Sequence, residues 1–373
     1  MGPAPAVAAV RLAVRRTLTG SSGAVGRARA TGPARGTGPV VVACSGGADS
    51  LALLAATVFE ARKLSVPVVG VTVDHGLQGD SAARAAAVVA QMERLGASDT
   101  VAVRVHVDPA GQGIEAAARR ERYAALAKAA AEHGSSVVLL GHTRDDQAET
   151  VLLGLTRGSG GRSVAGMPRR LDGLFLRPLL ELTRAETEAA CRAEGISFWV
   201  DPHNSDLRFT RSRIRHRVLP VLEAELGPGV AAALARTADM VRADVEALDR
   251  IAQQWYDEHR LGAGAGAADE AGGAGAGSAV AAGGAGAGAA DEPGVTLDAG
   301  ALAALDEAIR LRVLRLAALD AGCPSGELFR VHVLGIDELV VAYRGQTRVE
   351  LPGHVHATRS DELLRLFSRL PCS

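Results

Sequence analysis

The chain has 373 residues, of which 47% are hydrophobic and 22% are charged, and its formal net charge is −1. This length allows roughly two or three compact domains, and the composition excludes a wholly disordered chain because it supplies the apolar side chains of a sizeable core. Aromatic residues make up only 3% of the chain. We therefore exclude a nucleic-acid binder that works mainly by base stacking, and expect any RNA contact to depend on charge.

The amino-terminal segment and the cysteines indicate a protein of the cytoplasm. Residues 1–48 contain six arginines and no acidic residue, as organellar targeting peptides do, but the same segment holds the first predicted strand, so we expect it to belong to the fold. The sequence contains no run of about 18 apolar residues, so we predict no transmembrane helix. The four cysteines, Cys44, Cys191, Cys323 and Cys372, form no C-x-x-C pair, which argues against a disulfide scaffold or a metal cluster.

Strand-like and helix-like segments alternate through the first 226 residues. After an N-terminal helical or flexible segment (1–36), the predicted strands are Val40–Cys44, Val68–Val73, Val101–Val107 and Val137–Leu140, with a weaker one at Phe198–Val200. The predicted helices are Ser50–Arg62, Ser81–Leu95, Ile114–His133, Asp145–Arg157 and Arg184–Glu194. This alternation predicts an α/β domain (37–226) with a Rossmann-like parallel sheet, whose ligands bind at the carboxyl ends of the strands.

The rest of the chain is expected to form a connector, a linker and a small domain. Residues 230–260 predict one long helix within a helical connector (227–261). Gly262–Ala290 contains only four residues other than Gly and Ala, which predicts a flexible linker (262–293). Predicted helices Ala301–Ala321 and Gly326–Val341, followed by short strand-like runs to Phe367, indicate a small α/β C-terminal domain (294–373).

The most specific motif is a loop between the first predicted strand and the helix that follows it. Its residues are Ser45, Gly46, Gly47, Ala48, Asp49 and Ser50. A strand, a glycine pair and a helix N-terminus together place backbone N–H groups and a favourable dipole around an anion. An ordinary glycine turn is the alternative. The G-K-[ST] ending of a Walker A loop and the G-x-G-x-x-G pattern are both absent, so we predict a different kind of phosphate site.

This loop resembles the S-G-G-x-D-S signature of the PP-loop ATP pyrophosphatases, which have the adenine nucleotide alpha hydrolase-like fold and split ATP between its α and β phosphates. Further motifs follow in the order seen in tRNA(Ile)-lysidine synthetases: Val73-Asp-His-Gly-Leu77, Gly113 to Tyr123, Gly141 to Thr150, Arg157-Gly-Ser-Gly160, Arg177-Pro-Leu179 and Asp201-Pro-His-Asn-Ser-Asp206. The chain is thus similar to this family over residues 40–225, and its tail resembles the family's small substrate-binding domain. It departs from the family at His203 and Ser212 and in the Gly/Ala-rich insert.

The resemblance implies a ligase that forms a C–N bond in RNA. Such an enzyme uses ATP to adenylate the C2 carbonyl oxygen of the wobble cytidine of tRNA(Ile) with a CAU anticodon. Free L-lysine then displaces AMP and gives lysidine. The implied cofactor is Mg²⁺, no membrane partner is expected, and a homodimer is left open.

The residues at the strand ends are expected to bind ATP. The expected ATP-binding residues are Ser45, Gly46, Gly47, Ala48, Asp49, Ser50, Asp74, His75 and His142. Asp49 lies at a helix start beside the loop, where it either holds the metal and orients the phosphates or only stabilises the helix dipole. Asp74 and His75 follow the second strand, where adenine or ribose would lie, although a plain strand-end turn is the alternative.

Carboxylates near the fourth strand are expected to hold the metal or the lysine. Asp145 or Asp146 and Glu149 lie three or four residues apart on one helix face. We assign the metal to Asp49 and Asp145, and catalysis to Asp49, Asp146 and Glu149. The alternative is that Asp145 caps the helix and Glu149 is solvated. Because a buried ammonium needs carboxylate acceptors, the lysine-binding residues are Asp146 and Glu149, with Glu115 and Arg119 as family-implied additions.

Arginines are the expected tRNA contacts. Arg208, Arg211, Arg213, Arg215 and Arg217 fall within ten residues and are the densest positive patch of the chain. Neutralising tRNA phosphates is the natural use of such a patch, and a solvated arginine face is the alternative. We assign tRNA binding to Arg122, Arg208, Arg211, Arg213 and Arg215. Since Glu115, Arg119 and Arg122 share one helix face, the alternative for these three is a set of surface ion pairs.

Two other functions fit parts of the sequence. A PP-loop tRNA thiolation enzyme is the first alternative, but its relatives usually carry paired cysteines, which this chain lacks. A nucleotide-binding RNA adaptor without turnover is the second, but the intact phosphate loop and the acidic helix start argue against it.

Overall fold

The computed structural model describes residues 2–20, 38–76, 79–108, 113–158, 160–200, 206–261, 294–346 and 348–368, with the exception of the side chain of Glu115. The chain divides into two compact units, Met1–Arg242 and Ala243–Ser373. The predicted linker (262–293) and the Asp201–Asn204 motif lie outside the described residues. The predicted division into five segments stays a prediction.

The first unit is an α/β domain whose elements follow the predicted order. Its strands are β1 (Val40–Ala43), β2 (Val68–Asp74), β3 (Asp99–Arg104), β4 (Val138–Leu139), β5 (Arg170–Leu171) and β6 (Phe175–Leu176). The helices before and between the strands are α1 (Pro5–Thr19), α2 (Ala48–Arg62), α3 (Ser81–Arg94), α4 (Ile114–Glu132), α5 (Arg144–Arg157) and α6 (Gly161–Val164). After β6 come α7 (Arg184–Ala193), α8 (Thr210–Arg213), a π-helical turn (Ile214–Val218), α9 (Leu219–Leu226) and α10 (Val230–His259). Helix α10 continues past Arg242, so its C-terminal part belongs to the second unit.

The six strands form one sheet in the order β3-β2-β1-β4-β6-β5. All neighbouring pairs are parallel except the β5–β6 hairpin, which confirms the predicted Rossmann-like class. The chain runs from β1 outward through β2 and β3, and later returns to the other side of β1 with β4. In open parallel sheets, ligands bind at such a switch point, just outside the carboxyl ends of the strands. The phosphate loop follows β1, so the topology places it at this point.

Alternate side chains of β1 face two different hydrophobic clusters. Val40 and Val42 pack into a cluster with α1, α2, α3 and α7, whereas Val41 packs with α4 on the opposite face. Helices therefore cover both faces of the sheet, as expected for strands that are apolar along their whole length.

The predicted strand at Phe198–Val200 is wrong. These residues are not in a strand; Phe198 packs against the α1 and α2 cluster, and the Trp199 N–H donates to the carbonyl oxygen of Gly46 at 3.0 Å. Phe198–Val200 therefore supports the phosphate loop from outside the sheet. The strands that extend the sheet beyond β4 are instead β6 and β5, which have two residues each and form a hairpin that the periodicity did not predict.

Helix α1 belongs to the core of the first unit. Its residues Val7, Val10, Val14 and Leu18 are buried in the cluster that contains β1 and α2. Proline lies at the first helical turn, where its missing N–H is not needed. For residues 5–19 this packing agrees with the expectation that the amino-terminal segment belongs to the fold, whereas residues 21–37 lie outside the described ranges.

We expect Leu18→Ala to destabilise the first unit strongly. Leu18 is 0% exposed, and removing a buried leucine side chain costs about 2–5 kcal/mol of unfolding free energy. Leu12→Ala in the same helix is the matched control, because Leu12 is 42% exposed and should lose less than about 1 kcal/mol. Chemical denaturation of both variants measures the difference. Equal losses would show that α1 does not pack as described.

The second unit contains a four-stranded antiparallel sheet. Its elements are β7 (Gly294–Asp298), α11 (Ala299–Ala303), α12 (Glu307–Asp320), α13 (Arg330–Val341), β8 (Val349–Leu351), a 3₁₀ turn (Pro352–His354), β9 (Val355–Ser360) and β10 (Leu363–Ser368). The strand order is β7-β10-β9-β8. The single helix predicted at Ala301–Ala321 is two helices, because the chain turns at Leu305 and Asp306 before α12 begins. The helix predicted from Gly326 begins only at Arg330.

No single helix in the described part of the chain is long and apolar enough to cross a membrane. The helical segments Thr210–Leu226 and Val230–His259 pass such a test only when taken together, and they meet at an angle of 99°.

Candidate active site

The phosphate loop is shaped by its own side chains and by one glycine. The Ser50 hydroxyl accepts from the Ser45 N–H at 3.1 Å and donates to the Gly47 carbonyl at 2.9 Å. Gly46 has a φ of +83°, and a Cβ there would lie 2.7 Å from Val88, so the close turn requires glycine. The N–H groups of Gly46, Gly47 and Ala48 donate to no other described residue. The loop thus presents free donors at the start of α2, which suits a phosphate group.

Asp74 and His75 lie at the carboxyl end of the neighbouring strand β2. Asp74 is buried and accepts from the Gly76 N–H at 2.9 Å, a hydrogen bond that lowers the pKa of the carboxyl group. Burial lowers the pKa of His75, and its Nδ1 atom is buried without a hydrogen-bond partner among the described residues. Asp74 shapes the turn, while His75 has an unused polar atom that fits a ligand.

The loop after β4 contacts the phosphate loop directly. A Cβ on Gly141 would lie 3.0 Å from the backbone carbon of Asp49 and 3.1 Å from Cα of Ser50. Only a glycine lets the two backbones approach this closely. The contact places His142, the next residue, beside the phosphate loop.

Asp49 is largely buried between the phosphate loop and the start of α7. The Thr187 hydroxyl donates to one of its carboxylate oxygens, and Arg184 Nε lies 3.5 Å from the other. Burial nevertheless dominates and raises the pKa of Asp49 to about 6. Asp49 is therefore a carboxylate whose charge is poorly compensated by the protein alone, which favours an added cation.

The three carboxylates of α5 all have partners within the chain. Asp145 accepts from the Arg184 backbone N–H at 2.8 Å. Asp146 accepts from the Thr143 N–H at 2.8 Å, which begins α5 with a capping box, and also pairs with Arg184 Nη2 at 2.9 Å. Arg184 thus joins Asp49 to Asp146, a link that the sequence analysis missed. The one sequence signal for the position of Arg184 is the T-x-x-E pattern that starts at Thr183 and predicts the start of α7.

Two arginines of the predicted tRNA-binding patch bind Glu149 instead of facing solvent. Glu149 is 0% exposed; Arg215 contacts its two oxygens at 2.6 and 3.0 Å, and Arg211 Nε lies 3.4 Å away. Burial raises the pKa of Glu149, and the bond from Arg215 opposes this shift. The π-helical turn Ile214–Val218 carries Arg215 to this position, and such turns are frequent at functional sites. The alternative of a solvated Glu149 is wrong.

Of the other arginines of the patch, Arg208 and Arg217 are exposed and Arg213 is half-buried. Arg208 pairs with Asp206 at 2.7 Å and is well exposed, and Arg213 donates to the carbonyl oxygens of Leu207 and Arg208. The patch therefore does not form one continuous basic face in the described structure.

A second cationic group lies next to His142. Arg119 donates to the Tyr123 hydroxyl at 3.3 Å, and Arg177 donates to the same hydroxyl at 3.1 Å. Burial lowers the pKa of Arg122, and the neighbouring arginines lower it further. Arg122 makes no ion pair with any residue in the described ranges. These arginines are the strongest candidates to bind an anionic part of a substrate.

The carboxylates fit a magnesium ion that also binds phosphate oxygens. No cluster of three or more His, Cys, Asp or Glu side chains in the described part of the chain could hold a metal alone. Mg²⁺ commonly uses one or two carboxylates together with substrate phosphates and water, so Asp49 beside the loop is suited to be one of its ligands.

Comparison with known proteins agrees with this geometry. A family profile described as "PP-loop domain" matches residues 27–222, and one described as "TilS substrate binding domain" matches residues 297–365. A solved U34-tRNA thiolase from Methanococcus maripaludis, described with a [4Fe-4S] cluster, has a TM-score of 0.48 and 17% identity, over 63% of this chain and 79% of that chain. That likeness is too distant to say anything about function.

Three curated relatives are similar over almost their whole length, and each is a tRNA(Ile)-lysidine synthase. The protein of Thermobifida fusca is 48% identical over 96% of this chain and 97% of its own. That of Streptomyces coelicolor is 48% identical over 96% and 97%, and that of Salinispora arenicola is 46% identical over 99% and 98%. The chain therefore belongs to the tRNA(Ile)-lysidine synthase family, whose members are ligases that use ATP to form lysidine in tRNA(Ile).

Proposed function

We propose that the site described above carries out lysidine formation in two steps, with free L-lysine as the second substrate. In the first step the C2 carbonyl oxygen of the wobble cytidine attacks the α phosphorus of ATP, and diphosphate leaves. In the second step the ε-amine of lysine attacks C2, loses a proton, and AMP leaves with the C2 oxygen. The observation that carries this proposal is the phosphate loop at the switch point, with its free N–H groups beside Asp49.

The phosphate loop and Asp49 would serve the first step. The N–H groups of Gly46, Gly47 and Ala48 would bind phosphate oxygens, and His75 and His142 would contact the nucleoside or the α phosphate. Asp49 would hold Mg²⁺, with Asp145 as the second candidate ligand, and the ion would neutralise charge that develops on the diphosphate. Asp49 supports this role because it is buried with incomplete compensation of its charge.

Asp146 suits the lysine ammonium better than Glu149 does. Both oxygens of Glu149 are bound by Arg215, and its side chain is fully buried. Both oxygens of Asp146 also have partners, Thr143 and Arg184, but its side chain is 14% exposed, so an ammonium can reach Asp146 where it cannot reach Glu149. We propose that Asp146 receives the ammonium, that Glu149 holds Arg211 and Arg215 in place, and that Arg119 contacts the lysine carboxylate. The assignment of Glu115 stays a prediction, because its side chain is not described.

Arg122 and the exposed Arg208 are the best candidates for tRNA phosphates. Arg122 has no acidic partner among the described residues, and Arg208 is 84% exposed, so a tRNA phosphate can reach it although it also pairs with Asp206. Arg211, Arg213 and Arg215 are tied to groups of the chain itself and would reach tRNA only at the cost of those bonds. Since the substrate is tRNA, we place the reaction in the cytoplasm.

We expect Asp146→Asn to raise the KM for lysine by at least tenfold and to leave the KM for ATP within about threefold, because a neutral amide attracts an ammonium more weakly than a carboxylate does. Steady-state kinetics with lysine and ATP varied separately measures this split. Glu181→Gln is the control, since Glu181 is exposed and its one ion-pair partner among the described residues is Arg169 at 2.9 Å. An equal rise in both KM values would remove Asp146 from the amine site.

Mass analysis of the tRNA product tests the proposed function as a whole. The full chain is incubated with tRNA(Ile), ATP, Mg²⁺ and lysine, and the tRNA is then digested to nucleosides. A cytidine that has gained lysine and lost water supports the proposal, together with release of AMP. A sulfur-for-oxygen exchange, or unchanged tRNA with bound ATP, would overturn it.

A further inference from the structure

Arg177 is a buried guanidinium that has no carboxylate partner among the described residues. It is 2% exposed, and it follows β6 at the carboxyl edge of the sheet. Its donors bind three uncharged groups: the Pro168 carbonyl oxygen, the Tyr123 hydroxyl at 3.1 Å and Nδ1 of His142 at 3.3 Å. A buried charge without an acidic partner is costly, so its position calls for a reason beyond packing.

The contact with Arg177 fixes which nitrogen of His142 carries the proton. An arginine is always protonated in proteins and can only donate hydrogen bonds. Nδ1 of His142 must therefore present its lone pair to Arg177 Nε, and the proton of the neutral ring must lie on Nε2. In the ranges that the structure describes, no group accepts a hydrogen bond from Nε2. This N–H is available beside the phosphate loop, since the preceding Gly141 contacts the Asp49 backbone.

The surroundings of His142 favour the neutral ring. Burial is the main cause that lowers the pKa of His142, to about 3. The charged groups that face it are Asp146 from α5, which opposes the shift, and Arg177, Arg122 and Arg119, which support it. Three cations against one carboxylate keep a further positive charge off the ring at neutral pH.

We propose that Arg177 is a positioning residue that holds His142 as the Nε2–H tautomer, so that His142 donates a hydrogen bond to an acceptor atom of the bound substrate. The inference rests on the proposed function only in placing His142 at the nucleotide. It assigns His142 the role of an uncharged donor to a phosphate, ribose or carbonyl oxygen, and it excludes this ring as the base that removes the proton of the lysine ammonium.

Nitrogen NMR on the full chain labelled with ¹⁵N-histidine tests the tautomer without any assay of activity. His142→Gln identifies the His142 signals. We expect an unprotonated Nδ1 and a protonated Nε2 that do not titrate between about pH 5.5 and 8. His133 is an internal reference, because its Nδ1 faces the Ala129 carbonyl oxygen at 2.8 Å and must donate, and this bond raises the pKa of His133. A His142 with a protonated Nδ1, or one that titrates in this range, overturns the proposal.

Arg177→Met tests the part played by Arg177. Without the donor, the His142 signals should become those of a mixture of tautomers, and Arg177→Lys should restore a part of the Nε2–H signal. Arg169→Met is the control, because Arg169 is an exposed arginine that pairs with Glu181. If Arg177→Met does not fold, Arg177→Lys decides alone. A protonated Nε2 and an unprotonated Nδ1 in that variant support the role of Arg177. The same mixture of tautomers as in free histidine contradicts it.

Two substitutions of His142 test the donor role in the reaction. The amide nitrogen of glutamine reaches the place of Nε2, whereas that of asparagine reaches only the place of Nδ1. We expect His142→Gln to retain AMP formation within about tenfold and His142→Asn to lose about a hundredfold. Equal losses in the two variants would overturn the donor role. Since the mass of the product is measured on the unsubstituted chain, that result would leave the proposed function standing.

Discussion

Asp49→Asn is expected to lower AMP formation by about a thousandfold while the fold is retained, because the substitution removes the charge that would hold the metal and the phosphates. The isosteric amide keeps an oxygen for the Thr187 hydroxyl, so the loop should keep its shape. Asp80→Asn is the matched control, since Asp80 also begins a helix but is exposed, and its ion-pair partner in the described ranges is Arg84 at 2.8 Å. AMP release measured with saturating tRNA and lysine gives the comparison. A rate within a few-fold of the unsubstituted chain would remove Asp49 from the metal site.

The raised pKa of Asp49 adds a dependence on pH with a definite sign. Burial raises this pKa from 3.8 to about 6, so the folded chain binds a proton at pH values where the unfolded chain has lost it. The ionised carboxylate therefore destabilises the folded state above about pH 4, and this cost is complete above about pH 6. We expect Asp49→Asn to unfold at a higher denaturant concentration than the unsubstituted chain at pH 8. The gain should shrink as the pH falls from 6 to 4.

The same carboxyl group should shape the pH profile of the reaction. If Asp49 acts as an anion, the rate of AMP formation in the unsubstituted chain falls as the pH drops through about 6. Bound Mg²⁺ would move this fall to lower pH, because a cation favours the ionised form. A profile that is flat between pH 5 and 7 at low Mg²⁺ would contradict the assignment.

Local signals were sufficient to predict the sheet and the phosphate loop. Apolar runs that alternate with helical segments predicted β1 to β4 and α2 to α5 to within three residues of their observed bounds. The β5–β6 hairpin was missed because its two-residue strands are not part of a longer apolar run such as Val137–Leu140, which contains the equally short β4. Phe198–Val200 has strand-like residues, but within the described ranges it makes one backbone hydrogen bond to the phosphate loop and pairs with no strand.

The site's ionic partners were beyond the reach of sequence reasoning. Arg184 and Thr187 lie 135 and 138 residues from Asp49, and Arg215 lies 66 residues from Glu149. Nothing in the local pattern reports such pairings, which are set by how the helices pack on the sheet. From the sequence, tRNA was therefore assigned to the arginine patch, and lysine or the metal to the acidic helix face. In the structure the two groups bind each other.

The contact between Glu149 and Arg215 should be one of the strongest side-chain interactions of the first unit. Glu149 is fully buried and Arg215 is 20% exposed, so each would leave a poorly solvated charge behind if its partner were removed. Removal of one member of a buried pair costs about 3–5 kcal/mol. We expect Glu149→Gln and Arg215→Met each to lower the unfolding free energy by about 3 kcal/mol.

The double variant measures the interaction between Glu149 and Arg215 separately from the effect of each residue alone. Because Glu149→Gln with Arg215→Met leaves neither charge without its partner, its loss of stability should be smaller than the sum of the single losses by at least about 1 kcal/mol. The exposed pair Arg192 and Glu188, one turn apart on α7 at 3.3 Å, is the control and should show a coupling below about 0.5 kcal/mol. Activity should not return in the double variant, because Arg215 also contacts Asp146 at 3.3 Å and so helps to set the proposed amine site. A coupling as small as that of the control pair would show that Glu149 is not tied to Arg215 in solution, and would return Glu149 to the candidates for the lysine ammonium.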